Sequence, residues 1–99
     1  MPNYEIKIDP HAFDRIRHLI DNAPDDVLEL YKEELAKLQE SPTTLSRPAP
    51  IPLWVGHQMF ECIITHWPHR YRFMTYFKYS QDETALLVES IGLVVYDME

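Results

Sequence analysis

Glycine is scarce: only Gly56 and Gly92 occur among 99 residues. Neither sits in a G-x-x-x-x-G-K-[ST] or G-x-G-x-x-G run, which excludes the nucleotide-cradling loops of P-loop, kinase-like and Rossmann proteins. G-x-S-x-G and H-E-x-x-H are missing too, which removes the nucleophile-elbow hydrolases and the helical zinc proteases. One cysteine, Cys62, permits no internal disulfide and points to a reducing, cytoplasmic compartment. No apolar run approaches the roughly 20 residues that a membrane-spanning helix needs. The opening MPNYEIKIDP lacks the basic start and apolar centre of a signal peptide. Positive charge is also short, with 9 Lys and Arg against 16 Asp and Glu and a formal charge of −7. Over most of its surface such a chain repels a phosphate backbone.

What is present is an ordinary globular composition, 45% hydrophobic and 25% charged, in a length that fits one domain over residues 1–99. Tyr4-Glu5-Ile6-Lys7-Ile8 alternates apolar and polar, the period of a half-buried strand. Asp9-Pro10 reads as an N-cap followed by proline at the first helical position. Ala12, Phe13, Ile16, Leu19 and Ile20 share one face at helical spacing and predict a helix over residues 10–22. Asn22-Ala23-Pro24-Asp25 breaks it. Asp25 or Asp26 is the expected cap of a second helix, with Val27, Leu28, Tyr31, Leu35 and Leu38 on one stripe. Its other face is charged and wet, with Glu33 and Lys37 at a favourable i,i+4 spacing. Residues 41–52, SPTTLSRPAPIP, hold four prolines and no periodicity, and predict an extended connector rather than a helix or central strand.

From residue 53 onward the pattern is that of strands. Residues 53–56 are a short candidate. Residues 58–65 set Phe60, Cys62 and Ile64 opposite Glu61, Ile63 and Thr65. Residues 70–79 set Tyr71, Phe73, Phe77 and Tyr79 opposite Arg70, Arg72, Tyr76 and Lys78. Gln81-Asp82-Glu83 predicts a turn into residues 84–96, an apolar run expected at the centre of the sheet. The expected fold class is α+β: an N-terminal strand, an αα-hairpin, then a mostly antiparallel sheet of three to four strands with both helices on one face.

Charge is spread unevenly. Residues 1–40 carry ten acids against five bases, whereas residues 41–81 carry Arg47, Arg70, Arg72 and Lys78 against Glu61 alone. Side chains two apart on a strand face stand about 7 Å apart, within reach of adjacent phosphates. Arg70, Arg72 and Lys78, with Tyr76 among them, therefore suit a single-stranded nucleic acid held by charge and stacking. An amphipathic strand with a wet outer face gives the same spacing, so both readings stand. No metal site is expected from Cys62, His66, His69 and His57. C-x₃-H-x₂-H lacks a fourth ligand at a standard spacing, and Cys62 falls on the apolar side of its strand. His66 or His69 suits acid–base chemistry because imidazole titrates near neutrality, and Glu61 is a candidate partner or base.

Three stretches carry a family resemblance. Tyr4-Glu5-Ile6-Lys7-Ile8 followed by Ala12, His69-Arg70-Tyr71-Arg72-Phe73-Met74-Thr75-Tyr76, and Ser90-Ile91-Gly92-Leu93-Val94-Val95-Tyr96 resemble the RelE/ParE toxin superfamily of bacterial toxin–antitoxin systems. The order of elements resembles that family over nearly the whole chain. In its ribonuclease branch the ribosome presents mRNA to a sheet face, and the RNA's own 2′-OH attacks the adjacent phosphate without metal or other cofactor. The resemblance implies that Arg72 steadies the phosphate charge and that Tyr96 stacks or shuttles a proton. Glu61 is then the base, His66 or His69 the acid, and Arg70, Lys78 and Tyr76 bind nucleic acid. It further implies an antitoxin protein as partner, and the ribosome with its mRNA as target. The chain departs from the pattern in having Glu61, Ile63 and Ile64 where basic residues are frequent, and Leu93-Val94 after the C-terminal glycine. The alternative that the resemblance offers is the ParE-like branch: a non-catalytic module that binds a protein target, typically gyrase, or one that keeps only its fold and a partner.

Overall fold

A computed structural model describes residues 3–50 and 56–98 of the chain. Strand β1 (Glu5–Ile8) leads through a 3-10 turn (Pro10–Ala12) into α1 (Phe13–Asp21), followed by α2 (Asp25–Glu40) and the single turn α3 (Pro42–Leu45). Strands β2 (Arg47–Pro48), β3 (Gln58–His66), β4 (His69–Tyr79) and β5 (Ala85–Asp97) complete a five-stranded sheet in the order β1-β5-β4-β3-β2. The last four strands pair antiparallel, and β1 lies parallel to β5 through Glu5–Ala85 to Ile8–Val88. The fold is thus α+β with a mixed sheet, one strand larger than the expected three or four.

Burial explains the two-layer arrangement. Ile16 of α1 and Val27, Tyr31 and Leu38 of α2 pack on Phe60, Cys62 and Ile64 of β3, Tyr71, Phe73 and Phe77 of β4, and Leu86, Val88 and Ile91 of β5. Both helices therefore cover one face, and the period-two alternation of β3 and β4 sends every second side chain to the other, open face. Thr75 is the one buried polar residue in that core, its hydroxyl hydrogen-bonded to that of Tyr31. Tyr31 also stacks on Phe73 with ring centroids 4.2 Å apart. Burial holds the Tyr31 phenol well above its ordinary pKa.

Several local expectations need correction. Proline at the first helical position starts a turn at Pro42, and Thr43-Thr44-Leu45 behind it contains no further proline, so the connector is part helical. Arg47 and Pro48 then pair with Met59 and Gln58 as a short edge strand. Of the expected strand at 53–56, residues 53–55 lie outside the described set, and Gly56 is a turn residue with φ +85°. Asp9 does accept from the backbone N–H of His11, but over a 3-10 turn. Pro24 holds the N-cap position of α2 without a side-chain bond, and Asp25 and Asp26 fall in the first turn beyond it. Phe13, expected on the buried stripe, is exposed, and among the described side chains of α1 only Ile16 is buried in the core; the side chain of Ile20 is outside the described set. Lys37 pairs with Glu34 at 3.1 Å, one turn position closer than Glu33. β5 is central only beside β1; past Val88 its outer side carries no strand among the described residues.

Candidate functional site

The open face of the sheet is read most easily from its register. β3 and β4 pair Glu61 with Met74 and Ile63 with Arg72; β4 and β5 pair Arg70 with Tyr96, Arg72 with Val94 and Met74 with Gly92. Glu61 and Arg72 are thus diagonal neighbours on adjacent strands, a spacing that long side chains bridge. Glu61 accepts from Arg72 Nε at 2.6 Å, and the same oxygen receives a terminal guanidinium nitrogen. Hydrogen bonds to the Tyr96 hydroxyl and to Glu61 push the Arg72 pKa above even its ordinary high value. Glu61, Ile63, Arg70, Arg72, Tyr96, Asp97 and Met98 line a broad concavity of about 600 Å³. Arg70 is in no ion pair among the described residues and stands exposed at its wall.

Four of the residues expected from the sequence therefore converge: Glu61, Arg70, Arg72 and Tyr96. The two histidines do not join them. His66 and His69 have the same strand parity as Ile64 and Tyr71, which places them toward the helix-covered side. His66 lies 3.6 Å from Asp26 of α2. His69 Nδ1 lies 2.9 Å from Asp97, poorly aligned for a hydrogen bond. They flank a tight turn through a cis Trp67–Pro68 bond. An acid–base set made of Glu61 with either histidine is not assembled on the open face.

Lys78 is also apart from the cleft. Six residues along β4 separate it from Arg72, about 20 Å at ordinary strand rise. It is held by Glu89 at 3.0 Å, and His57 Nε2 lies 2.6 Å from the other oxygen of that carboxylate. Glu89 reaches this position through a β-bulge: Tyr76 pairs with Ser90 and Phe77 with Val88, leaving Glu89 as the extra residue. Burial works to raise its pKa, but the hydrogen bonds from His57 and Lys78 outweigh it and leave the carboxyl below its ordinary range. This His57–Glu89–Lys78 cluster was not anticipated. A lone acid inside the apolar run 84–96 and a histidine in phase with Glu61 were its only sequence signals. Tyr76 lies between the two clusters, half-buried, opposite Met59 and Ser90.

Cys62 is buried, and burial followed by the nearby charges of Glu34 and Glu61 pushes its thiol up to about 12, which leaves the reactive thiolate unpopulated. Among the described residues no three His, Cys, Asp or Glu side chains group as a metal site, and no helix is long and apolar enough to cross a membrane. No protein-family model, curated protein or solved structure matches this chain. Its function has to be read from the geometry.

Proposed function

We propose that this chain is a RelE/ParE-like, toxin-type component of a toxin–antitoxin pair, and that the open-face cleft is its working surface, directed at an RNA phosphodiester on the ribosome. The observation that carries this reading is the convergence of Glu61, Arg70, Arg72 and Tyr96 in one concavity. Glu61 is the carboxylate placed to take the proton of a 2′-OH as that oxygen bonds to phosphorus. Arg72 and Arg70 steady the charge gathering on the phosphate oxygens. As the P–O5′ bond breaks, the leaving oxygen takes a proton from the Tyr96 hydroxyl, and a 2′,3′-cyclic phosphate and a 5′-OH remain. The steps call on side chains alone, and the ribosome supplies the positioning that a cleft of four residues does not.

A specific observation favours a second reading. Arg70 and Arg72 are balanced by Glu61 and Asp97 among the lining residues, so the cleft offers an incoming phosphate no net attraction. A self-neutralised cleft suits a non-catalytic module that binds a protein. The two readings part in one experiment: expression in a bacterial host with primer-extension mapping of a translated mRNA. Cleavage that Arg72→Ala, Glu61→Gln and Tyr96→Phe each reduce by at least about tenfold, a loss of roughly 1.4 kcal/mol of transition-state stabilisation, supports the ribonuclease. Cleavage indifferent to all three rejects this assignment of roles. Growth arrest without any cleavage supports the protein-binding module.

A further inference from the structure

β1 pairs with Ala85–Val88 and leaves the sheet at Asp9, so among the described residues no strand lies outside β5 from Ser90 to Tyr96. The backbone groups left open there follow from the bonds below them. Glu5 donates its N–H to the Thr84 carbonyl at 3.1 Å, and Asp9 donates to that of Val88 at 2.9 Å, so even-numbered residues turn outward in that half. The extra residue at Glu89 shifts the alternation by one, and core side chains accordingly pass from Leu86 and Val88 to Ile91. Side-chain face and backbone direction alternate together along a strand. Ile91, Leu93 and Val95 therefore turn their N–H and C=O groups outward.

An unpaired edge is a template for another strand unless it is short, charged or interrupted by proline. The outer edges of β1 and β2 have such protection, since β1 is four residues long and β2 is two residues ending in Pro48. The free part of β3 carries Glu61, Thr65 and His66. On β5 no charge interrupts Ser90–Tyr96, and Val94, Val95 and Tyr96 are 38%, 48% and 42% exposed. Asp97, its side chain 82% exposed, closes this edge at one end on a chain of net charge −7, whereas Glu89 at the other end is already held by Lys78 and His57. A second copy would bring the same net charge of −7 against this edge, like charge facing like. A strand carrying lysine or arginine meets opposite charge at Asp97 and on the acidic chain as a whole.

We infer that the outer edge of β5 takes an extended segment of a partner protein that alternates apolar and basic residues, added as a sixth strand. One face of that strand lies beside Val94 and Tyr96 at the rim of the cleft, and the other beside Val95. The inference goes beyond the catalytic reading and holds whether or not RNA is cleaved.

Its test uses the full chain, a short synthetic peptide alternating Val and Lys, and a matched peptide alternating Val and Glu. The lysine peptide is expected to slow amide exchange at Ile91, Leu93 and Val95 and to leave Gly92 and Val94, already facing β4, unchanged. Val95→Pro removes one outward donor while sparing the β4 ladder, and loses the peptide; Val95→Thr keeps it. Should Val95→Pro fail to fold, the exchange pattern of the unmodified chain decides alone. Absence of binding, equal binding of the glutamate peptide, protection confined to β3 or the cleft, or a dimer of the free chain protected at this edge would each overturn the inference.

Discussion

One strand, β4, presents two faces made by opposite rules. Toward the helices, Tyr71, Phe73, Thr75 and Phe77 are buried, and the single polar group among them is matched to Tyr31. Toward the open side, Arg70, Arg72, Met74, Tyr76 and Lys78 are half-buried or exposed, and two of the three cations are tied to carboxylates on neighbouring strands. The covered face is defined by volume, and the open face by charge. The contrast separates what holds the molecule together from what it has to offer another molecule. Deletions on the first face should unfold the protein while leaving its chemistry interpretable. Deletions on the second should do the reverse.

The sharpest test of that division is Phe73→Ala, which empties a ring-sized space in the tightest part of the core. It is expected to lower unfolding stability by about 3–5 kcal/mol in chemical denaturation; a loss under about 1 kcal/mol would dissolve the distinction between the faces. Tyr31→Phe leaves the buried Thr75 hydroxyl without its partner and is expected to lose about 1–3 kcal/mol. Adding Thr75→Val should recover most of that loss, and a double-mutant cycle measures the coupling.

Glu89→Gln probes the open face where it is most closed. Removing the carboxylate from His57 and Lys78 is expected to lower stability by about 1–2 kcal/mol at neutral pH. Because the folded carboxyl titrates below its unfolded value, its contribution is complete above the unfolded pKa of about 4.3 and is lost as pH falls through the folded value. Stability plotted against pH should therefore fall less steeply in that acid window for the variant than for the parent; parallel curves would show that the cluster contributes nothing through Glu89. The smallest effect on stability is expected from Arg70→Ala, an exposed residue in no ion pair among the described residues, within about 0.5 kcal/mol by thermal or chemical unfolding. If the cleft engages RNA, the same change lowers cleavage, which would place function and stability on different faces.

The covered face was legible in the sequence because alternation is a local signal: Phe60, Cys62 and Ile64, then Tyr71, Phe73 and Phe77, could be assigned to the core from spacing alone. So could the shared open face of Arg70 and Arg72. What was not legible depends on partners far away in the chain. The parallel β1–β5 pairing joins residues 80 positions apart, as Glu5 and Ala85 do, and nothing local announces it. His57 and Glu89 lie 32 residues apart and meet only because of the bulge. The two histidines beside the turn looked available to Glu61 until strand parity sent them to the other side. At Pro42 the prolines misled in the opposite direction, because one proline at a helix start is compatible with a turn that several in a row would forbid.

The bulge at Glu89 makes the site a matter of counting. Every residue after it sits out of phase with the residues before it, which is why Tyr96 faces Arg72 and Val95 does not. Drawing Glu89 into an unbroken ladder opposite Tyr76 would exchange the two sets of side chains along the remainder of the strand, turning the tyrosine toward the helix side and a valine toward the guanidinium, whereas deleting Glu89 would leave Ser90 opposite Tyr76 and every later pair as it stands. For this half of the strand, length matters more than composition: conservative replacements leave the arrangement standing, whereas a single insertion or deletion among the paired residues Ser90–Tyr96 rewrites everything beyond it.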